Sequence, residues 1–524
     1  MIVLIQSSYA ENIDNLKWYN NFFKYKSPMN NSSHFVFSCV LALLMVIAIS
    51  PSAQTNVVWI STSQSKQWKN IEGLKVFPSK SVIVDGEILL NDKKQVIKGF
   101  GTCFNELGWA SLNILSVKDR ESIFKELFSP NIGASFNICR MPIGANDFSI
   151  NWYSYNETEG DFEMKNFNIN RDVNNLIPFI KNAKKYNPSL SIWASPWSPP
   201  SWMKYNKHYA AKSMLGDANF KSEEWGMDFK GISNGLAKDK EGTEGSDMFI
   251  QEDKYYKSYA MYFAKFIDAY MEQHIAIDMV MPQNEFNSAQ VFPSCTWTAA
   301  GLSKFISYLG PQMESRNVDI FFGTMERANA KLVDTSLLDP QSSKYIKGVG
   351  FQWAGKDAIS TIHNTNPKLT LYQTEQECGN GKNDWKYCAY SWDLMKHYFK
   401  NGVNAYMYWN TSLKQGGIST WGWQQNSLIS VDTLNKTYKY NYEYYLIKHL
   451  SHFVKPGAKR LNTIGAFTNI LAFQNPDKSI VLVVKNDSNE EKKVKLKIGT
   501  HFIAPVLKPD TYNTFLIKNN SKIH

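Results

Sequence analysis

The stretch Asp278-Met279-Val280-Met281-Pro282-Gln283-Asn284-Glu285 runs from a charged residue through three apolar residues to an asparagine–glutamate pair. A short apolar run between polar ends is typical of a strand that is buried on both faces. The pair at its carboxyl end puts an amide and a carboxylate where such a strand opens into a loop. The stretch therefore predicts a buried strand that delivers polar side chains at its end.

Seven further runs share this pattern and alternate with helix-like stretches. They are Val96–Phe104, Phe136–Ile143, Leu190–Trp197, Asp319–Met325, Ile346–Trp353, Leu369–Glu375 and Val403–Trp409. Eight parallel strands alternating with helices predict an α/β fold, a (β/α)8 TIM barrel whose active site lies at the carboxyl ends of the strands. An open doubly wound sheet usually carries a glycine-rich phosphate turn, which we do not find in the sequence.

The pattern changes on both sides of this barrel. After about residue 430, short strand-like runs are separated by turns rich in Asn, Asp, Lys and Gly, which is typical of a small β-sandwich. Residues 54–97 also show short strands and turns. We therefore predict that residues 98–429 form the TIM barrel catalytic domain and that residues 54–97 and 430–524 form one discontinuous side β-sandwich.

The N-terminal region carries a targeting pattern. Residues 35–49 are an apolar run of 15 residues, followed by Ser50-Pro51-Ser52-Ala53-Gln54. The run is shorter than the roughly 20 residues that span a bilayer, and it precedes a small-residue cleavage pattern. We expect a signal peptide over residues 29–53 and an upstream over-translation over residues 1–28. The protein is then secreted, periplasmic or at the cell surface, with no stable membrane insertion after cleavage; a membrane anchor is the alternative.

The amino-acid composition excludes few classes of function but makes some of them less favoured. The 524 residues are 43% hydrophobic and 14% aromatic, and the formal net charge is +10. Because the lysines are scattered, a solvated basic surface is favoured over a nucleic-acid partner. The cysteines show no paired or metal-type spacing, so we expect no metal and no cofactor, while pairing of Cys378 with Cys388 stays open. We expect a monomer.

Two glutamates at strand ends point to sugar chemistry. Glu285 ends the fourth run and Glu375 ends the seventh, so both carboxylates lie at the barrel mouth. Retaining cleavage of a glycoside needs one acid that protonates the leaving oxygen and one carboxylate that attacks, about 5–5.5 Å apart. Asn284, beside the first glutamate, is placed to bind a sugar 2-hydroxyl. One such glutamate alone could be a solvated loop residue, but the pair favours catalysis.

Several motifs in order resemble glycoside hydrolase family 30. They are Gly99-Phe100-Gly101, Asn105-Glu106, residues 136–144, Asp147-Phe148-Ser149, residues 194–204 and Asn284-Glu285. The resemblance extends from about Val57 to the C-terminus. The family includes glucosylceramidases, β-glucosidases, xylanases and endo-β-1,6-glucanases, and it implies a barrel with a side β-domain built from both chain ends.

The resemblance implies a role for each matching residue. It makes Glu285 the acid/base and Glu375 the nucleophile. It implies substrate-binding or supporting roles for five others: Glu106 on the distal hydroxyls of the sugar, Trp197 as a wall of the pocket for the sugar that is cleaved, Asn284 on the 2-hydroxyl, Arg140 as a buttress of the nucleophile and Trp409 as an aromatic side chain on strand eight. The alternatives are a structural ion pair for Arg140, core packing for the tryptophans and a helix-start carboxylate for Glu106.

The sequence departs from the resemblance in two places. Glu377 offers a second carboxylate near Glu375, although the position after Thr374 favours Glu375. Gln352-Trp353-Ala354 lacks the tyrosine that follows a His-Trp pair in glucosylceramidases. The predicted substrate is a β-glucan or β-glucoside, with endo-β-1,6-glucanase-like action first, glucosylceramidase or β-glucosidase action second, and β-xylosidase or β-fucosidase action after them. A non-catalytic carbohydrate-binding barrel is the alternative from another class.

Overall fold

The eight strands expected from the sequence close into one barrel in a computed structural model, which describes residues 57–79, 82–214 and 233–518. All barrel pairings are parallel. In ring order the strands are β5 (Gly99–Cys103), β6 (Ile138–Pro142), β7 (Ser191–Ser195), β8 (Met279–Val280), β9 (Asp319–Met325), β10 (Ile346–Gln352), β11 (Thr370–Glu375) and β12 (Ala405–Asn410). The predicted TIM barrel is thereby confirmed.

Helices follow the barrel strands, as the alternating pattern predicts. Those described are α1 (Glu106–Leu112), α2 (Val117–Phe128), α3 (Asn170–Asn174), α4 (Leu176–Tyr186), α5 (Asp253–Glu272), α6 (Ala299–Glu314), α7 (Ala330–Leu338), α8 (Ile359–Thr365), α9 (Trp385–Lys400) and α10 (Tyr442–Ser451). Short 3-10 turns lie at Ser201–Met203, Lys238–Lys240, Ser343–Tyr345 and Trp353–Ala358. In α5 the residues Tyr259, Phe263 and Phe266 are fully buried, because helical spacing puts them on the face that packs on the core.

The fourth barrel strand is shorter than the sequence suggests. Only Met279–Val280 pair as β8, although the prediction ran on to residue 285. Pro282 has no N–H to donate to a neighbouring strand, and Glu285 adopts a left-handed backbone with φ 50°. The chain therefore turns at the barrel mouth, and Glu285 sits in that turn, just beyond the strand.

The second domain is a ten-stranded sheet to which both chain ends contribute, as expected. Its order is β2-β1-β23-β18-β17-β16-β4-β20-β21-β3. The strands are β1 (Val57–Thr62), β2 (Lys69–Ile71), β3 (Val76–Pro78), β4 (Gly86–Val96), β16 (Lys459–Ile464), β17 (Ile470–Gln474), β18 (Ile480–Asn486), β20 (Leu496–Ile498), β21 (His501–Ile503) and β23 (Thr511–Ile517). The sheet encloses its own apolar core around Trp59, Leu482 and Phe515. β19 (Lys492–Lys493) pairs with β22 (Val506–Leu507).

The C-terminal sheet begins later than the boundary predicted at residue 430. The strands β13 (Ser412–Lys414), β14 (Ile429–Asp432) and β15 (Thr437–Tyr440) form a small separate sheet after β12. Helix α10 then follows as the helix of the eighth barrel unit, and the ten-stranded sheet resumes only at Lys459. The composition change at residue 430 marks this small sheet, whose turns resemble those of the sandwich.

Other expectations lie partly or wholly outside the described residues. The proposed over-translation at residues 1–28 and signal peptide at residues 29–53 fall there. Within the described ranges no helix is long and apolar enough to cross a membrane. Cys103, Cys139, Cys295, Cys378 and Cys388 are free and buried, so Cys378 and Cys388 do not form a bridge in this structure.

Candidate active site

Glu285 and Glu375 meet at the barrel mouth. Glu375 is the last residue of β11, and Glu285 lies in the turn after β8. Their side chains are almost wholly buried, and the residues are 4% and 3% exposed for Glu375 and Glu285, respectively. Two acidic side chains that are buried in the same place need partners for their charge.

A single amide joins the two carboxylates. The Gln352 amide nitrogen donates to Glu285 Oε1 at 2.9 Å and to Glu375 Oε2 at 3.2 Å. Thr374 Oγ1 donates to the Gln352 carbonyl at 2.9 Å, which fixes the orientation of the amide. Because one nitrogen reaches both, these two carboxylate oxygens lie at most about 6 Å apart.

The two carboxylates have different sets of donors. Glu375 also accepts from Arg140 Nη1 at 2.8 Å and from the Trp353 indole N–H at 3.2 Å. Glu285 Oε2 is buried and has no hydrogen-bond partner among the described residues. The Trp353 indole and the Gln352 amide thus both donate to Glu375, while Ala354 occupies the position of the missing tyrosine.

Electrostatics place the negative charge on Glu375. Burial raises the pKa of Glu285 well above its usual value, and the nearby carboxylates of Glu326 and Glu375 raise it further. Burial also raises the pKa of Glu375, but the Arg140 guanidinium and the Trp353 and Gln352 hydrogen bonds counter that rise. Of the two carboxyl groups only Glu375 contacts an arginine among the described residues, so negative charge is more favourable on Glu375 than on Glu285.

Arg140 lies beneath the pocket and holds it together. It is fully buried, and Nη2 donates to Asn284 Oδ1 at 2.6 Å and to Ser195 Oγ at 2.9 Å. Arg140 therefore positions the Glu375 carboxylate and Asn284, and its full burial keeps it from direct contact with a sugar. The Asn284 side-chain oxygen accepts from Arg140 Nη2, Thr324 Oγ1 and Gln352 Nε2, which leaves its amide nitrogen for another partner.

The two tryptophans predicted for the pocket form a stack on this arginine. The ring of Trp197 lies 4.2 Å from the Arg140 guanidinium carbon and 5.1 Å from the ring of Trp409. Both tryptophans are almost completely buried. The structure thus brings Glu285, Glu375, Arg140 and Asn284 together with Trp197 and Trp409.

Asp147 is a site residue that the sequence reasoning missed. It follows β6, is 4% exposed, and its Oδ1 has no hydrogen-bond partner among the described residues. Burial and the Glu375 charge raise its pKa, whereas Arg140 and the Trp409 indole lower it. The indole N–H of Trp409 lies near this carboxylate without the geometry of a hydrogen bond. An acceptor and a donor left open side by side match the two hydrogen bonds of one sugar hydroxyl.

Glu106 does not reach the site. Its carboxylate is fully buried and accepts from Arg171 Nε at 2.7 Å, Arg171 Nη2 at 2.8 Å and the Ile150 backbone N–H at 2.8 Å. Protein donors occupy both oxygens, so the predicted contact with the distal hydroxyls is wrong. Glu106 instead anchors the loop that carries Asp147, whose motif the sequence had shown without a role.

Glu377 is also outside the pair. Its carboxylate contacts Lys356 Nζ at 2.9 Å and the Tyr390 hydroxyl at 2.6 Å. β11 ends at Glu375, so the alternation of a strand does not extend to residue 377. The second carboxylate near this strand end therefore has its own cation and lies away from Gln352.

Comparisons with known proteins agree with this fold. Residues 97–224 and 233–454 match the Glycosyl hydrolase family 30 TIM-barrel domain, and residues 457–515 match the Glycosyl hydrolase family 30 beta sandwich domain.

Named relatives fall into two enzyme groups. Lysosomal acid glucosylceramidase of Mus musculus is 26% identical over 76% of this chain and 76% of its own length. Endo-1,6-beta-D-glucanase neg1 of Aspergillus fumigatus is 26% identical over 75% of this chain and 79% of its own length. The crystal structure of SrfJ from Salmonella typhimurium covers 89% of this chain and 100% of that chain, with a TM-score of 0.77 and 22% identity. The chain therefore belongs to glycoside hydrolase family 30 and is a glycoside hydrolase.

Proposed function

We propose that this protein hydrolyses β-glucosidic bonds with retention, by double displacement. Glu375 attacks the anomeric carbon and forms a glycosyl-enzyme while Glu285 donates its proton to the leaving oxygen. Glu285 then takes a proton from a water molecule, and that water releases the sugar from Glu375. No metal or cofactor has a role in this sequence of steps.

One observation carries the proposal, and it is the Gln352 bridge. The two bridged oxygens lie at most about 6 Å apart. A retaining pair needs about 5–5.5 Å, whereas an inverting pair needs about 6.5–9.5 Å to admit a water molecule. The hydrogen-bond donors to the two carboxylates also differ, and this difference supports the same roles. Three side chains stabilise a charge on Glu375, whereas Glu285 Oε2 has no partner among the described residues.

Other open groups are available to hold the sugar. The Asn284 amide nitrogen is available to a 2-hydroxyl beside the bond that is cleaved. The pair made by Asp147 Oδ1 and Trp409 Nε1 is available to a hydroxyl further along the ring. These groups orient the anomeric carbon toward Glu375 and need no charge on the sugar.

For the substrate we propose endo-β-1,6-glucanase-like action first and glucosylceramidase or β-glucosidase action second. A fungal relative at 26% identity supports the first, and relatives named glucosylceramidases at 26% to 31% identity support the second. We further propose that the protein acts as a monomer. On the basis of the apolar run and cleavage pattern at residues 35–54, we also propose that it acts outside the cytoplasm.

The test is product analysis on a β-1,6-glucan, a β-1,3-glucan, glucuronoxylan, an aryl β-glucoside and glucosylceramide. Proton NMR of the first product distinguishes the anomers: the β-anomer is expected, and an α-anomer would refute retention. Release of oligosaccharides from the β-1,6-glucan would support endo action on it. Cleavage of glucosylceramide and of no glucan would instead select the second substrate.

Replacing Asp147 by asparagine is expected to lower kcat/KM by about 10²-fold, because a buried acceptor for a sugar hydroxyl loses its charge. Glu106→Gln is the matched control, since Glu106 is equally buried but bound only by protein groups. We expect this control to lower the melting temperature and to change kcat/KM by less than about 5-fold. Steady-state kinetics on an aryl β-glucoside measure both, and equal kinetic losses would contradict the assignment of Asp147.

Replacing Arg140 by methionine is expected to lower kcat by at least about 10²-fold and stability by about 3–5 kcal/mol, because the buried Glu375 charge loses its partner. Arg140 lowers the pKa of Glu375, so its loss raises that pKa. Glu375 must be ionised, so activity is lost as pH falls through its pKa, and the acid limb of kcat/KM should move to higher pH. Arg140→Lys keeps a charge and should restore part of this limb; an unmoved limb in both variants would contradict the pairing.

A further inference from the structure

Glu326 and Arg327 form a second charged group, which lies on the side of the barrel mouth away from Asp147, Trp197 and Trp409. Asp147 follows β6, Trp197 follows β7 and Trp409 lies in β12, and these strands occupy the part of the ring that runs from β12 through β5 and β6 to β7. β9 lies opposite β5 and is followed at once by Glu326 and Arg327. A leaving group bound on the Glu285 side must extend toward this part of the rim.

Ion pairs and hydrogen bonds hold the side chains of Glu326 and Arg327 in place. Arg327 Nη1 contacts Glu326 Oε1 at 2.6 Å, and Arg327 Nη2 contacts Glu244 Oε1 at 3.2 Å. Asn287, two residues after the acid/base, accepts from the backbone N–H groups of both Glu326 and Arg327 and donates to the Arg327 carbonyl. The rim pair is therefore tied to the turn that carries Glu285.

The group also directly adjoins the reacting acid. Glu285 N donates to Thr324 Oγ1 at 2.9 Å, two residues before Glu326. Glu285 Oε2, buried and without a partner among the described residues, is the free oxygen of the acid. Glu326 is 6% exposed, whereas the Arg327 side chain is 48% exposed. A guanidinium that is open to solvent and held by two carboxylates is thus available next to the leaving oxygen.

The chemistry of this group selects among leaving groups. Covering two carboxylates and a guanidinium with a lipid chain would desolvate them without new hydrogen bonds, which is unfavourable. Glu244, Glu326 and Arg327 together carry one net negative charge, which disfavours an acidic sugar. A neutral sugar has hydroxyls that both donate to a carboxylate and accept from a guanidinium, so it satisfies every group.

We propose that Glu326 and Arg327 form a leaving-group subsite that binds the hydroxyls of a neutral sugar. This inference rests on the proposed function and deepens it, because it makes the substrate a sugar-to-sugar bond in preference to a glycolipid. Glu326 orients Arg327 and accepts one hydroxyl, and Arg327 donates to the next. The pair thus positions the bond that Glu285 protonates.

The test compares two substrates that share the sugar to be cleaved. One is a β-linked glucose oligosaccharide, and the other is an aryl β-glucoside with an acidic phenol, which has no hydroxyls to bind in the subsite. Arg327→Met should lower kcat/KM on the oligosaccharide by about 30-fold or more and on the aryl glucoside by less than about 3-fold. Arg316→Met is the matched control, because Arg316 forms an ion pair with Asp268 at the end of α6.

A binding measurement separates the subsite from catalysis. In the Glu375→Gln background, adding Arg327→Met should weaken calorimetric binding of the oligosaccharide by about 10-fold and leave binding of methyl β-glucoside unchanged. Unchanged oligosaccharide binding, or equal losses on both substrates, would overturn the subsite while the proposed function stands. A wild-type protein that neither binds nor cleaves any of these glucosides would overturn the proposed function and the subsite with it.

Discussion

Replacing Glu375 by glutamine should lower kcat on an activated aryl β-glucoside by at least about 10⁴-fold. Glutamine keeps the shape of the side chain but is a far weaker nucleophile, so the covalent step fails even when the leaving group needs no protonation. Initial rates at saturating substrate measure the loss. A substrate with a fluorine at position 2 should trap the wild-type enzyme, with the added mass on the peptide that contains Glu375.

The matched control for this variant is Glu377→Gln. Glu377 lies two residues away and is almost as buried, but its partners are Lys356 and Tyr390. We expect its kcat to stay within about 3-fold of wild type, because no described contact joins it to Gln352 or Arg140. An active Glu375 variant beside an inactive Glu377 variant would move the nucleophile to residue 377.

Loss of folding must be separated from loss of chemistry. Glu375→Gln leaves the buried Arg140 without its carboxylate, which costs stability. Glu375→Asp keeps the charge and withdraws the carboxylate by one methylene, so the anomeric carbon falls out of reach. This variant should retain most of the melting temperature and still lose at least about 10²-fold in kcat. Full activity in it would show that the reaction tolerates a displaced nucleophile and would argue against direct attack.

The barrel was predictable because both faces of its strands are buried. β6 and β12 are buried at every residue, so each reads as a mainly apolar run in the sequence, interrupted by Arg140 in β6 and ended by Asn410 in β12. The helices between them show the spacing of one buried face. At these positions the local hydrophobic pattern agrees with the fold of the whole domain, and such a local pattern can be read from the sequence.

The acidic residue that faces the sugar was not predictable in the same way. Glu106 and Asp147 both follow barrel strands within a few residues, and either could face the pocket. The difference between them comes from Arg171, which lies on α3 and donates hydrogen bonds to both carboxylate oxygens of Glu106. A contact between residues so far apart along the chain leaves no periodic signal, so only the structure assigns Asp147.

The support of the nucleophile was hidden for a similar reason. The sequence shows Gln352-Trp353-Ala354 where a tyrosine was expected, and it indicates only that this partner is missing or replaced. In the structure Trp353 has a left-handed backbone with φ 48°, and its indole donates to Glu375. The amide of Gln352 reaches both carboxylates. The function of these two donors depends on backbone angles, which composition and spacing do not encode.

Replacing Glu285 by alanine should lower kcat/KM on a glucan by at least about 10³-fold, because a poor leaving group then departs without a proton. An aryl β-glucoside with an acidic phenol needs no such proton, so its glycosylation step should remain fast. Hydrolysis of the glycosyl-enzyme still lacks its base, and turnover should stall after a burst of phenol. Azide, a small anion that needs no base, should fit the space left by the side chain, restore turnover and yield the β-glucosyl azide.

The pH dependence provides a second readout of the same variant. Burial and the Glu326 and Glu375 charges raise the pKa of Glu285. Glu285 must be protonated for the first step, so wild-type kcat/KM on a glucan is present below that pKa and is lost as pH rises through it. In Glu285→Ala this alkaline limb should disappear from the residual kcat/KM on the glucan. Glu326→Gln removes one nearby charge and should move the wild-type limb to lower pH.

These readouts contradict the assignment in distinct ways. An alkaline limb that persists in Glu285→Ala would belong to another group, and Glu285 would then not be the acid. Rescue by azide with formation of the α-glucosyl azide would mean that the nucleophile had not formed a covalent intermediate, since one displacement inverts and two retain. The β-azide is therefore the outcome that ties both carboxylates to one double displacement, because it requires Glu375 to occupy one face of the sugar and leaves the Glu285 side open on the other.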